Sequence, residues 1–138
     1  MRIHQLRSAT IVVETGDCRV LVDPMLGEKG VHPPLKFLSH RQRNPTVHLP
    51  ATAKVVQASV THCLITHCQQ GHFDHLDRAA IHWLRERQIP VVCTPHDARY
   101  LIRCGLNVVS LPDDHHCPQP FPGFPPSAGG GGNVGGSR

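Results

Sequence analysis

Three histidines and a carboxylate fall within nine residues: His67, His72, Asp74 and His75. They belong to the stretch Thr61-His62-Cys63-Leu64-Ile65-Thr66-His67-Cys68-Gln69-Gln70-Gly71-His72-Phe73-Asp74-His75-Leu76-Asp77. Imidazole nitrogens with a carboxylate suit a first-row metal such as zinc. His72 and His75 are three apart with Asp74 between them, so one turn of chain can aim all three at one point. Zinc held in this way lowers the pKa of bound water to about 7, giving a hydroxide nucleophile at neutral pH. The competing reading is structural. Asp74 suits a helix N-cap, and Asp77 three residues on completes a box-like arrangement. Three histidines and a carboxylate this close together favour the metal, and capping can coexist with it.

The elements around this stretch would hold it at a strand end. Residues 63–65 form an apolar run of strand character, and a helical pattern starts at Leu76. Leu76, Ala79, Ala80, Trp83 and Leu84 follow the spacing of one helix face, leaving Asp77, Arg78, Arg85 and Arg87 outward. Ile89-Pro90 ends that helix. Residues 91–93 predict a buried strand, and Thr94-Pro95 opens a second helix with Thr94 as cap and Pro95 at its first position. Ala98, Leu101 and Ile102 are its expected inner face, Gly105 its stop, and residues 108–111 a last strand. Upstream, residues 3–6, 10–14 and 18–22 read as strands, the last two joined by the turn Thr15-Gly16-Asp17. The pattern predicts an α/β fold: an opening antiparallel hairpin, then βαβαβ with parallel strands. His67 follows its strand and faces the loop. His62 precedes the strand at the far end and is not a ligand.

Elsewhere the pattern is weaker. Pro33, Pro34, Pro45 and Pro50 interrupt residues 25–52, and Lys36, Arg41 and Arg43 make that segment basic. It either borders an active-site mouth and attracts an anionic substrate or is a solvated loop. Asp113-Asp114-His115-His116 is a second cluster of metal-binding types, expected as an exposed loop. Residues 118–138 are Pro- and Gly-rich, so we expect a domain over 1–117 and a flexible tail over 118–138.

Composition bounds the function. The 138 residues suit one domain, and with 39% hydrophobic but only 4% aromatic residues its core must be aliphatic. A net charge of +4 does not by itself indicate nucleic acid. No stretch approaches the roughly 18 apolar residues of a membrane helix, and residues 1–7 lack the apolar run of a signal peptide. The six cysteines lack zinc-ribbon spacing. The expectation is a cytoplasmic protein without disulfides.

His72-Phe73-Asp74-His75-Leu76-Asp77, following Leu64-Ile65-Thr66-His67, resembles the His-x-His-x-Asp-His motif of the metallo-β-lactamase superfamily of metal-dependent hydrolases. The resemblance implies that His72 helps bind one metal while Asp74 and His75 bind a second. Gln70 stands where the motif has its first histidine, and His67 keeps the Thr-His context three residues early, from which a bulged loop would let it reach the metal. Asp23-Pro24 resembles the early part of the same superfamily, where such an acid supports the metal loop from behind; a simple turn-initiating aspartate is the other reading of Asp23. Members fold as an αβ/βα sandwich of two similar halves, and the likeness covers the N-terminal half only. The later ligands would come from the other half, so a truncated copy is expected, nearest to the ascorbate-phosphate lactonase-like branch.

The function implied is hydrolysis of an ester, lactone or phosphoester, with one or two zinc ions or another divalent metal and with Asp74 orienting the nucleophile. The alternatives are a non-catalytic truncated remnant with a partial metal site and, more thinly, a nucleic-acid-processing hydrolase. The expected partner is a small-molecule substrate rather than nucleic acid or membrane. A homodimer is a further option, because half a sandwich leaves an apolar sheet face uncovered.

Overall fold

The computed structural model describes residues 1–30, 45–68 and 75–111. In chain order the elements are β1 (Arg2–Arg7), β2 (Thr10–Thr15), β3 (Cys18–Val22), α1 (Ala53–Ala58), β4 (His62–Leu64), α2 (Arg78–Arg87), β5 (Pro90–Cys93), α3 (Pro95–Arg103) and β6 (Asn107–Ser110). One six-stranded sheet takes the strands in sequence order. β1, β2 and β3 pair antiparallel. From β3 to β6 every pairing is parallel, and a helix lies between each pair of successive strands. The expected α/β order holds, with β1 added to the hairpin and α1 as a crossover ahead of β4.

Alternation along the strands separates the two faces. Cys63, Val91 and Cys93 are buried with Ala80 and Leu84 of α2 and Leu101 of α3. Val12 and Leu21 are buried with Leu6 and Ala53, next to the partly buried Val56 and Trp83. Val13, Val20, Val22, Leu64 and Val92, with Thr15 and His62, instead line an open cavity of about 260 Å³. Val13 pairs with Val20 and Val20 with His62, so these residues share the opposite face of the sheet.

The helix ends refine the sequence reading. Asp77, not Asp74, is the N-cap of α2, with extended backbone (φ −98°, ψ 170°) and a carboxylate that accepts from the Ala80 amide. Instead of facing outward, Asp77 is buried at 1% exposure. Leu76 therefore precedes the helix, Ala79 is exposed, and Ile81 is among the residues packed against the core. α3 starts as expected, but the Thr94 side chain makes no capping bond. Its hydroxyl donates to Asp97 Oδ2 at 3.2 Å. Ile102 faces solvent at 60% exposure, and the inner face is made by Leu101 with Ala98, Tyr100 and Cys104. Gly105 ends α3 at φ +77°, donating to Ile102 O while Leu106 donates to Leu101 O. That paired pattern needs a left-handed residue, which glycine supplies without a Cβ clash.

No helix among the described residues is long and apolar enough to cross a membrane. Among the described residues, Cys63, Cys93 and Cys104 are free thiols. Lys36, Arg41 and Arg43, the Asp113–His116 cluster and residues 118–138 lie outside the described residues.

Candidate metal centre

The parallel strands β3, β4 and β5 deliver their C-terminal ends to one edge of the sheet, where open α/β sheets bind ligands. Asp23 leaves β3, Thr66-His67-Cys68 leaves β4, and Thr94 leaves β5. Each exit is tied to its neighbour by backbone. Asp23 N donates to Leu64 O at 3.0 Å, Ile65 N to Val92 O at 2.9 Å and Leu111 N to Cys93 O at 2.8 Å.

Asp23 is the hub. Its φ of +44° is left-handed, a conformation costing roughly 1–2 kcal/mol for most L-residues and tolerated best by Gly, Asn and Asp. The Thr10 hydroxyl holds the turn, donating to Asp23 O at 2.8 Å and accepting from Met25 N at 3.0 Å. So placed, the buried carboxylate accepts at Oδ1 from Thr66 N (2.8 Å) and at Oδ2 from Thr66 Oγ1 (2.6 Å). His75 Nδ1 lies 3.0 Å from the same Oδ2. An ionised carboxylate only accepts, so His75 donates from Nδ1, and in the neutral ring its lone pair is then on Nε2. Carboxylate-held imidazoles of this kind are the usual second contact of metal-binding histidines. The His67 ring packs against His75 with centroids 4.0 Å apart and planes tilted by 54°.

Two further aspartates fix the chain on either side of residues 69–74. Asp77 Oδ1 accepts from Ala80 N at 2.8 Å and Oδ2 from Gly27 N at 2.6 Å. The buried Arg7 donates to Gly27 O at 2.6 Å; burial pushes its pKa down, against the opposing pull of Asp77. Asp97 Oδ2 accepts from Cys68 N at 3.1 Å.

Of the residues expected from sequence, Asp23, His67 and His75 are thus brought together. His72 and Asp74 lie outside the described residues. Among the described residues no three His, Cys, Asp or Glu side chains are grouped closely enough to hold a metal. The donors that are described, two imidazoles in contact with one held by a carboxylate, are of types that bind divalent metals. Sequence reasoning gave Asp77 only a capping role and Asp97 none. An acid three residues after a Thr-Pro helix start, beside the neighbouring strand's exit, was the available sign for Asp97.

No family model matches the chain. Over 112 residues it is 37% identical to the UPF0173 protein YddR of Bacillus subtilis (strain 168), a match covering 80% of this chain and 43% of that protein. A UPF0173 metal-dependent hydrolase of Alkaliphilus metalliredigens (strain QYMF) is 29% identical over 111 residues, 80% of this chain and 39% of that protein. The chain is thus similar to part of two UPF0173 proteins, one of them named a metal-dependent hydrolase. Among solved structures, the isothiocyanate hydrolase from Delia radicum gut bacteria superposes with a TM-score of 0.70 at 30% identity, covering 84% of this chain and 44% of that one. A possible metal-dependent hydrolase from Veillonella parvula DSM 2008 gives 0.66 at 27% identity, covering 76% and 40%. These relationships agree with a metallo-β-lactamase-like fold, represented here by one half. The chain spans less than half the length of the UPF0173 relatives it matches.

Proposed function

We propose that this chain carries the metal loop of a hydrolase that directs activated water onto an ester, lactone or phosphoester. The hold of Asp23 Oδ2 on His75 Nδ1 at 3.0 Å carries this reading, since it sets the imidazole in the form a metal binds. Zinc, when bound, would supply acidified water and polarise the substrate oxygen. His67, His72, Asp74 and His75 would hold one or two such ions, another divalent metal being the alternative. Asp23 orients His75 and, through the Thr66 amide and hydroxyl, the chain leading to His67. Asp74 is the residue we assign to orienting the nucleophile. The partner is a small molecule rather than nucleic acid. The likeness to an isothiocyanate hydrolase adds a further electrophile, the isothiocyanate carbon, to those worth assaying. The free thiols suit a cytoplasmic setting.

The test is hydrolysis of a p-nitrophenyl ester, bis-p-nitrophenyl phosphate, a lactone and an alkyl isothiocyanate, with zinc-loaded and chelator-treated protein. Turnover that chelation and His75→Ala both abolish is expected. A second reading has its own support in the described donors, no three of which are grouped closely enough to hold a metal. In it the chain holds metal through a partial site without turnover, and zinc uptake with no hydrolysis of any substrate would select it. The apolar face lined by Val13, Val20, Val22 and Leu64 favours pairing of two copies through that face, which sedimentation would show as a dimer.

A further inference from the structure

We propose that Asp97 is a positioning residue for the metal loop, locking the chain just after His67 as Asp23 does just before it; the metal part of this assignment rests on the function proposed above. The two backbone amides flanking His67 go to two different buried carboxylates. Thr66 N donates to Asp23 Oδ1 at 2.8 Å, and Cys68 N donates to Asp97 Oδ2 at 3.1 Å. His67 is thereby clamped from both sides while its own ring stays exposed and packs on His75.

Asp97 is well placed to act as an anchor. It sits in the first turn of α3, where the helix dipole favours a negative charge. Its backbone amide donates to Thr94 O at 3.1 Å, and its Oδ2 also accepts the Thr94 hydroxyl at 3.2 Å. At 4% exposure it is as buried as Asp23. A carboxylate fixed to a helix start on one strand's exit and bonded to the next strand's exit ties β5 to the loop after β4. Helix capping alone does not require the bond to Cys68, 29 residues away.

Asp97→Ala, Asp97→Asn and Thr94→Ala in the full chain separate anchoring from helix support. Two readouts are taken: amide hydrogen exchange at Cys68 without metal, and zinc affinity by competition with a chromophoric chelator. Asp97→Ala should speed Cys68 exchange at least tenfold relative to amides in β5 and weaken zinc roughly tenfold to a hundredfold, the range seen for lost outer contacts of metal ligands. Asp97→Asn keeps an acceptor for Cys68 N and should recover most of both, which also covers failure of the alanine variant to fold. Thr94→Ala should lower stability while leaving Cys68 exchange and zinc affinity unchanged. Wild-type Cys68 exchange in Asp97→Ala would overturn the anchor. Faster exchange with undiminished zinc affinity would overturn its bearing on the metal. Absence of zinc binding by the wild-type chain would instead sink the functional reading, while the exchange result still decides the anchor.

Discussion

His75 and Asp23 are 52 residues apart in the chain, yet Nδ1 of the imidazole lies 3.0 Å from Oδ2 of the carboxylate. The contact exists because the parallel pairing of β3 and β4 sets their exits side by side. Asp23→Asn isolates its chemistry, since asparagine tolerates the same left-handed backbone. An amide group cannot accept from Thr66 N, Thr66 Oγ1 and His75 Nδ1 together. Leaving one buried donor unpaired costs about 1–3 kcal/mol. The urea midpoint should fall accordingly, and zinc affinity should drop by roughly ten- to a hundredfold. Unchanged affinity would mean that His75 is oriented by something else.

Asp77 joins the start of α2 to the turn at Gly27. Asp77→Ala removes the bond to Ala80 N and the bond to Gly27 N. A lost cap costs about 0.5–2 kcal/mol and an unpaired buried amide about 1–3 kcal/mol, so a loss of roughly 2–4 kcal/mol is expected in chemical unfolding. Asp77→Asn should keep the cap and lose less. Equal losses would show that the cap to Ala80 N adds nothing beyond the bond to Gly27 N.

The strand order was legible because β-branched runs and the Thr15-Gly16-Asp17 turn punctuate the first 22 residues, and because Pro90 and Gly105 close two helices. α1 was not, since six residues hold too little periodicity and its Val55 faces solvent at 74% exposure. Asp74 was a sensible cap by type, but the cap falls where the chain turns, at Asp77, whose second carboxylate oxygen has a partner 50 residues away. The candidate site shows the same division. His67 and His75 are visible as residue types close in sequence, and Asp23 through its resemblance to a family feature. Asp97 carries only the local sign of an acid three residues after a Thr-Pro helix start, because its bond to Cys68 exists only once β4 and β5 lie side by side.

Stability should fall in alkali. Burial, and then the charge of Asp23, pushes the Cys63 thiol well up; burial and then Asp97 push Cys93 up. Tyr100 is raised by burial and then by Cys104. A folded-state pKa above the unfolded value means that the native chain keeps protons the unfolded chain gives up. The contribution is therefore complete below the unfolded thiol value near 9.0 and is lost as pH rises beyond it. Urea midpoints should be flat from pH 7 to about 8.5 and then decline. A midpoint that rises above pH 9 would contradict the assignment of these thiols to the core.

Gln88 is a replaceable compromise. It ends α2 at φ +51°, with Gln88 N donating to Arg85 O and Ile89 N to Leu84 O, the pattern that Gly105 serves after α3. Gln88→Gly removes the Cβ clash at the cost of the exposed Nε2 bond to Arg85 O. A net gain of about 0.5–1 kcal/mol in thermal or chemical unfolding is expected. A loss would show that the side-chain bond outweighs the strain.

Zinc stoichiometry in the wild-type chain and in the double variant His72→Ala, His75→Ala tests the metal loop most directly. Equilibrium dialysis followed by metal analysis reads it, with circular dichroism confirming that both proteins are folded. The account predicts zinc bound by the wild type and none retained by the folded double variant. Unchanged stoichiometry in that variant would contradict it and move the site away from this loop, with the Asp113–His116 cluster next to be tested.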